Sequence, residues 1–252
     1  MEDEQWKTIP WQKLPKTPLD KLLDILADVP GIVHDMAASE QPIAPTSRHT
    51  FQLKVKRLVA ELRKWRWEWD VTNPNAAREV TSRLSLQGVE TPVFRELLSR
   101  TLEFDSVAQA LDLLTYNAGL VYLMQLEDIL GIGEPKNSRL SDEDMDYIKH
   151  ATDHHPESPL LQPGEARFLC QPALEAFRLV PFLYDNLMTS KERVMVILAP
   201  IGIVYCSLQA HPELNRCMES VLADIPFFRD ASRELKVYEI PMGQAWTAPI
   251  HA

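Results

Sequence analysis

In the segment "DMDYIKHATDHH", Asp146, His150 and His154 follow one another at spacings of four. On an α-helix this spacing lines up the three side chains, and two histidines one turn apart are the geometric core of several zinc sites. Asp153 and His155 stand close by in the chain. The competing reading is a solvated helix whose acidic residues suit its N-terminus, and no fourth ligand is evident. The expectation is therefore no bound metal and no cofactor, with Asp146, His150 and His154 as weak metal candidates. His150 and His154 also count as proton-carrying candidates if the chain is an enzyme.

A second set lies in "FDSVAQALDLLTYNAGLVYLMQLEDIL", a stretch that is apolar on nearly every side yet contains Asp112, Tyr116, Asn117, Tyr122 and Gln125. Buried polar groups must find partners. Either they bond to loops and neighbouring helices, or they line a ligand pocket between helices. Asp112 and Tyr116, one turn apart, have the residue types of a proton-transfer pair. Tyr116, Asn117, Tyr122 and Gln125 are the corresponding ligand-binding candidates.

Other chemistries find no support. There is no GxSxG elbow and no cysteine in an activating context, and "LGIGEPK" reads as a turn rather than a phosphate loop. "DEDMD" stands at a helix start, where capping explains its acids. In "DNLMTSKERV", Val194 occupies the place where metal-dependent terpene cyclisation needs an acidic residue.

The elements that must position these residues are helical. The chain has 252 residues, 45% of them hydrophobic, enough to bury a substantial core. Its 19 prolines and 8 glycines punctuate helical patterns, and no β-branched alternation is long enough to suggest a sheet. The spacing predicts an all-α fold: one irregular multi-helix domain over residues 1–252, built around a buried central helix at about 104–130, with 226–252 as an irregular tail. Asp105 is the expected cap of the central helix. Thr17 with Pro18 opens an early helix, and Pro30 with Gly31 breaks or kinks the chain after it. Ser141 with Asp144 and Thr189 with Glu192 have capping-box spacing, and Leu140 with Met145 that of a hydrophobic staple. Further helices are expected near 166–188, near 190–208 with a kink at Pro200, and over "HPELNRCMESVLADI".

"ELRKWRWEWD", residues 61–70, sets three tryptophans among basic side chains and raises the question of nucleic-acid binding. In the helix expected at about 48–69, Phe51, Val55, Leu58, Leu62, Trp65 and Trp69 recur at spacings of four and three, one continuous face. Trp65 and Trp69 therefore belong to a buried stripe, while Lys54, Arg57, Arg63, Lys64 and Arg66 form a solvated surface. Trp67 lies off the stripe, either covering a loop or marking a contact site. A net charge of −10 argues against nucleic-acid binding. Two apolar stretches, 113–126 and 194–208, fall short of the roughly 18 to 20 residues that span a bilayer. Cys170, Cys206 and Cys217 are odd in number and widely spaced, as in reduced core thiols of an intracellular protein of nucleus or cytoplasm.

The order of "WKTIPWQKLPKTPLDKLLDILADVPGIV", a helix ending "LRKWRWEWD", a buried Tyr- and Leu-rich helix and a late "CQPALEAFRLVPFLYD" resembles the helical regulatory region of fungal binuclear zinc-cluster transcription factors. The likeness covers most of the chain but rests on diffuse leucine-and-proline patterns, and the six-cysteine zinc cluster is missing. It implies effector-sensing, homodimer or partner contacts and supplies no catalytic residues. The expected function is a free-standing, transcription-factor-like domain that binds a small apolar ligand or a protein partner without DNA binding of its own. The alternative is a repurposed enzyme of fungal secondary metabolism, a cofactor-free cyclase or isomerase acting on a polyketide or terpenoid through Asp112, Tyr116, His150 and His154.

Overall fold

The computed structural model describes residues 15–39, 42–84, 86–133, 141–153, 158–187, 191–208 and 211–224. Among these the fold is all-α apart from one two-stranded sheet, and the chain divides into two compact units, Met1–Pro74 and Asn75–Ala252.

The first unit contains α1 (Pro18–Leu26), α2 (Val29–Ala38) and α3 (Pro45–Thr72). Thr17 caps α1 as its sequence signals: Thr17 Oγ1 accepts from the Asp20 N–H at 3.2 Å, and the Asp20 carboxylate accepts from the Thr17 N–H at 2.9 Å. Pro30 sits in the first turn of α2, where its missing N–H leaves no bond unmade. The expected stripe of α3 is in place. Phe51, Val55, Leu58, Leu62, Trp65 and Trp69 are all buried, and the Trp65 indole N–H donates to the Pro18 carbonyl at 2.9 Å, fastening α3 to α1. Trp67 is 61% exposed.

Arg66 departs from the solvated surface expected of it. Its side chain is fully buried, ion-paired with Asp70 one turn on and lying 5.3 Å from the centre of the Trp69 ring. A partner of opposite charge and an aromatic face together offset the desolvation that otherwise keeps arginine in water.

The second unit opens with the sheet, an element the sequence pattern did not signal. Strand β1 (Ala77–Thr81) pairs antiparallel with β2 (Arg100–Phe104), with Ala77 opposite Phe104 and Thr81 opposite Arg100, and α4 (Pro92–Leu98) lies between them in the chain. Because β2 extends through Phe104, the central helix α5 (Val107–Leu130) starts later than expected and is capped by Ser106, not Asp105. Ser106 Oγ accepts from the Gln109 N–H at 3.3 Å, and the Gln109 side chain accepts from the Ser106 N–H at 3.1 Å. Gly131 ends α5 in the left-handed conformation, φ 68°, with the Ile132 N–H returning to the Glu127 carbonyl at 2.8 Å.

There follow α6 (Asp142–Asp153), α7 (Cys170–Leu187), α8 (Lys191–Ser207) and α9 (Pro212–Asp224). Ser141 and Asp144 form the expected capping box of α6. α8 runs on through Pro200. α5 packs against α7 and α8, and α7 also packs against β2, so α7 occupies the middle of this unit. At its far end the Glu213 carboxylate of α9 holds the start of α4, accepting from the Glu90 and Thr91 N–H groups at 2.8 and 3.0 Å and from the Thr91 hydroxyl. Leu140, Thr189 and the tail 226–252 lie outside the described residues.

Candidate functional site

Every residue of α7 from Cys170 to Val180 is buried, three polar ones among them. Gln171, Glu175 and Arg178 are spaced by four and three, which sets them along one line of the helix. A polar side chain this deep needs a partner for each group, and the partners define the site.

The Gln171 side-chain oxygen accepts from the Arg167 and Phe168 N–H groups at 2.8 and 3.1 Å, closing the turn that leads into α7. One Glu175 oxygen accepts from the Asn117 side-chain amide of α5 at 2.9 Å, and the other accepts from the Leu161 N–H. Arg178 donates from Nε to the Arg100 carbonyl at 3.0 Å and pairs with Glu79, which Arg100 also reaches at 2.9 Å. Arg178 and Arg100 thus share the Glu79 carboxylate, while Glu175 is held by two neutral donors.

A cavity opens along this line. Its walls are Leu97 of α4, Ile148 of α6, residues 158–161, and Gln171, Leu174, Glu175 and Arg178 of α7. Its volume of about 20 Å³ is room for a water. Among the described residues the Gln171 side-chain nitrogen, in a residue only 3% exposed, has no hydrogen-bond partner.

The residues singled out from sequence are placed unevenly. Asp112, Tyr116 and Asn117 are buried on α5, but none of them lines this cavity; Asn117 acts through Glu175 instead. Tyr122 and Gln125 are half-buried, and burial raises the Tyr122 phenol above its ordinary pKa. Asp146 is exposed, while His154 and the side chain of His150 lie outside the described residues. Among the described residues no group of three His, Cys, Asp or Glu is placed to hold a metal ion.

Burial pushes the Cys170 thiol up to about 12 and raises Cys217 as well, so neither supplies a thiolate near neutral pH. No described helix is long and apolar enough to cross a membrane. Gln171, Glu175 and Arg178 were not among the sequence candidates, although "CQPALEAFRLV" carries a signal for them: three polar residues at helical spacing inside an apolar run.

No family model, curated protein or solved structure matches the chain.

Proposed function

We propose that the chain is a helical binding module that takes a small apolar molecule or a protein partner without binding DNA itself, as the regulatory region of the fungal zinc-cluster factors it resembles would do. One observation carries this reading. Around the α7 cavity the ionisable side chains are committed to holding the fold, Glu175 to Asn117 and Leu161, and Arg178 to Arg100 and Glu79. General acid–base catalysis needs a titratable group whose proton can reach the substrate. A net charge of −10 supports the DNA part of the reading, because binding to phosphates depends on releasing counterions from a basic surface.

The test incubates the full chain with polyketide and terpenoid intermediates, following thermal stability and, by mass spectrometry, product formation. A rise in Tm without conversion is the expected result. Conversion that requires folded protein and disappears in Asp112→Asn would replace this reading with the enzyme. Sub-micromolar binding of duplex DNA at near-physiological salt would overturn its DNA part.

A further inference from the structure

We infer that the outward face of α3 is a docking surface for an acidic amphipathic helix of a partner protein, with Trp67 and Val71 as its apolar anchor. The inference rests on the protein-partner half of the binding-module reading and names the partner's chemistry.

Opposite its buried stripe, α3 has a second pattern. Leu53, Ala60 and Trp67 stand seven residues apart and Val71 four further on, which sets them along one line of this 28-residue helix. All four are exposed, Leu53 at 55%, Trp67 at 61% and Val71 at 62%. Single apolar residues on a surface are ordinary. A tryptophan and a valine one turn apart, continued by an alanine and a leucine at heptad spacing, form a seam, and tryptophan is the residue type most enriched where binding energy concentrates.

Charge selects the occupant. Lys56 and Arg63 border the seam on one side, Arg57 and Lys64 on the other. Arg57 is paired with Glu61 and Asp28, and Lys64 with Glu68, exposed contacts that exchange readily. Lys56 and Arg63 have no ion partner among the described residues. A second α3 cannot supply one. Laid antiparallel about Ala60, two copies would bring Leu53 against Trp67 but also Lys56 against Lys64 and Arg57 against Arg63; laid parallel, each cation would face its own copy. Nucleic-acid phosphates offer nothing to the apolar seam. A lipid surface asks for a broader apolar face and would also meet Glu61 and Glu68 at the edge. A helix roughly 10 Å wide touches only the seam and its cationic borders. Its apolar residues would pack along Leu53, Ala60, Trp67 and Val71, with the small Ala60 allowing close approach at the centre, and its carboxylates would reach Lys56, Arg63 and Lys64.

The probe is a synthetic amphipathic peptide of three heptads, with leucine along its seam and glutamate on both flanks. It is titrated into the isotope-labelled full chain while the tryptophan indole N–H resonances are followed by NMR, that of Trp67 being assigned by its loss in Trp67→Phe. The Trp67 resonance should shift saturably and those of the buried Trp65 and Trp69 far less. A twin peptide with lysine in place of glutamate should bind at least tenfold more weakly, and salt should weaken the glutamate peptide. By calorimetry, Trp67→Ala should weaken the glutamate peptide at least tenfold. Lys56→Glu combined with Arg63→Glu should reverse the preference in favour of the lysine peptide, which a merely structural disturbance would not do. If that double variant fails to fold, the comparison of the two peptides on the unaltered chain still decides.

An unmoved Trp67 resonance, equal binding of the two peptides, or unchanged binding in folded variants would overturn the assignment. So would a Trp67 resonance that responds instead to phosphatidylserine vesicles or to the chain's own concentration, or that is already shielded from a soluble paramagnetic probe in the free chain. Those outcomes would give the face to a membrane, a second copy or another part of this chain. Conversion of a metabolite would sink the module reading without moving Trp67, and failure of the peptide would sink the present inference alone.

Discussion

Helices α3 and α7 both carry a buried arginine, yet they handle polarity in opposite ways. Along α3 the polar side chains mostly leave the core: Lys54, Arg57 and Lys64 are exposed, and Arg66 is the exception. Along α7 every residue from Cys170 to Val180 is buried, and Gln171, Glu175 and Arg178 stay inside with specific partners. In the first helix, periodicity and core are the same thing, so a substitution should cost according to the apolar volume it removes. In the second, enclosure on all sides makes the cost depend on which partner is abandoned.

The largest effect should come from volume on α3. Trp65→Ala and Trp69→Ala should each destabilise by about 3–5 kcal/mol, as large-to-small changes in packed cores do. Trp65→Ala additionally removes the bond to the Pro18 carbonyl. Urea unfolding of the two variants measures this, and a loss near zero for either would remove its tryptophan from the core.

Next should come partnership on α7. Arg178→Met nearly conserves volume but strips a donor from the Arg100 carbonyl and leaves Glu79 to Arg100 alone. A loss of about 3 kcal/mol is expected, since breaking a buried ion pair strands the remaining charge. If the change is neutral, the polar line of α7 is dispensable and the contrast between the two helices collapses.

A smaller, pH-dependent effect should come from the contact between α9 and α4. Burial lowers the His211 pKa from its ordinary 6.5, with the nearby Glu213 charge opposing. The unfolded chain therefore binds this proton more readily, and the stability supplied by the neutral ring is present above about pH 6.5 and lost as pH falls through the lowered folded value. Glu213 acts in the same direction at lower pH. Burial works to raise its pKa, but hydrogen bonds from Thr91 and Glu90 outweigh burial and hold it below 4.5, so its contribution is lost as pH falls further. Tm should decline between pH 7 and 5, and less so in His211→Phe, where the ring stays against Phe94, its edge-on neighbour at 5.8 Å. An identical decline in both proteins would show that His211 plays no part.

The smallest effect belongs to Trp67→Ala. With that side chain 61% exposed, a change within about 0.5 kcal/mol is expected from the same urea measurement. A loss matching that of Trp69→Ala would erase the distinction between the two sides of α3.

How far each feature could be read in the sequence depends on how local its cause is. The α3 stripe and the caps at Thr17 and Ser141 arise from residues within a turn or two of each other, and they stand where the pattern puts them. The sheet does not arise locally. "AREVT" and "RTLEF" are five residues each, half polar, and their stability comes from a partner lying across α4, including the Arg78–Glu103 and Glu79–Arg100 ion pairs. Arg66 was misplaced because periodicity assigns sides of a helix without knowing that Asp70 and Trp69 supply a pocket for the charge.

For the candidate site, the polar residues of α5 were visible but their assignment to a pocket was not. Asn117 is satisfied by a carboxylate 58 residues away, a distance no local pattern spans. The α7 residues were equally visible as polar positions in an apolar run. Their sequence could not show which of them finds a partner and which, like the Gln171 nitrogen, finds none among the described residues.

The Glu175 carboxylate has a consequence for hydrogen exchange. By accepting from both Asn117 and the Leu161 N–H, it ties a backbone amide outside any helix or strand to the packing of α5 on α7. Loop amides ordinarily exchange through small, frequent openings, whereas this one is released only when its buried acceptor lets go. Leu161 should therefore exchange with the slow amides of the two helices, as a loop reporter on their cooperative opening.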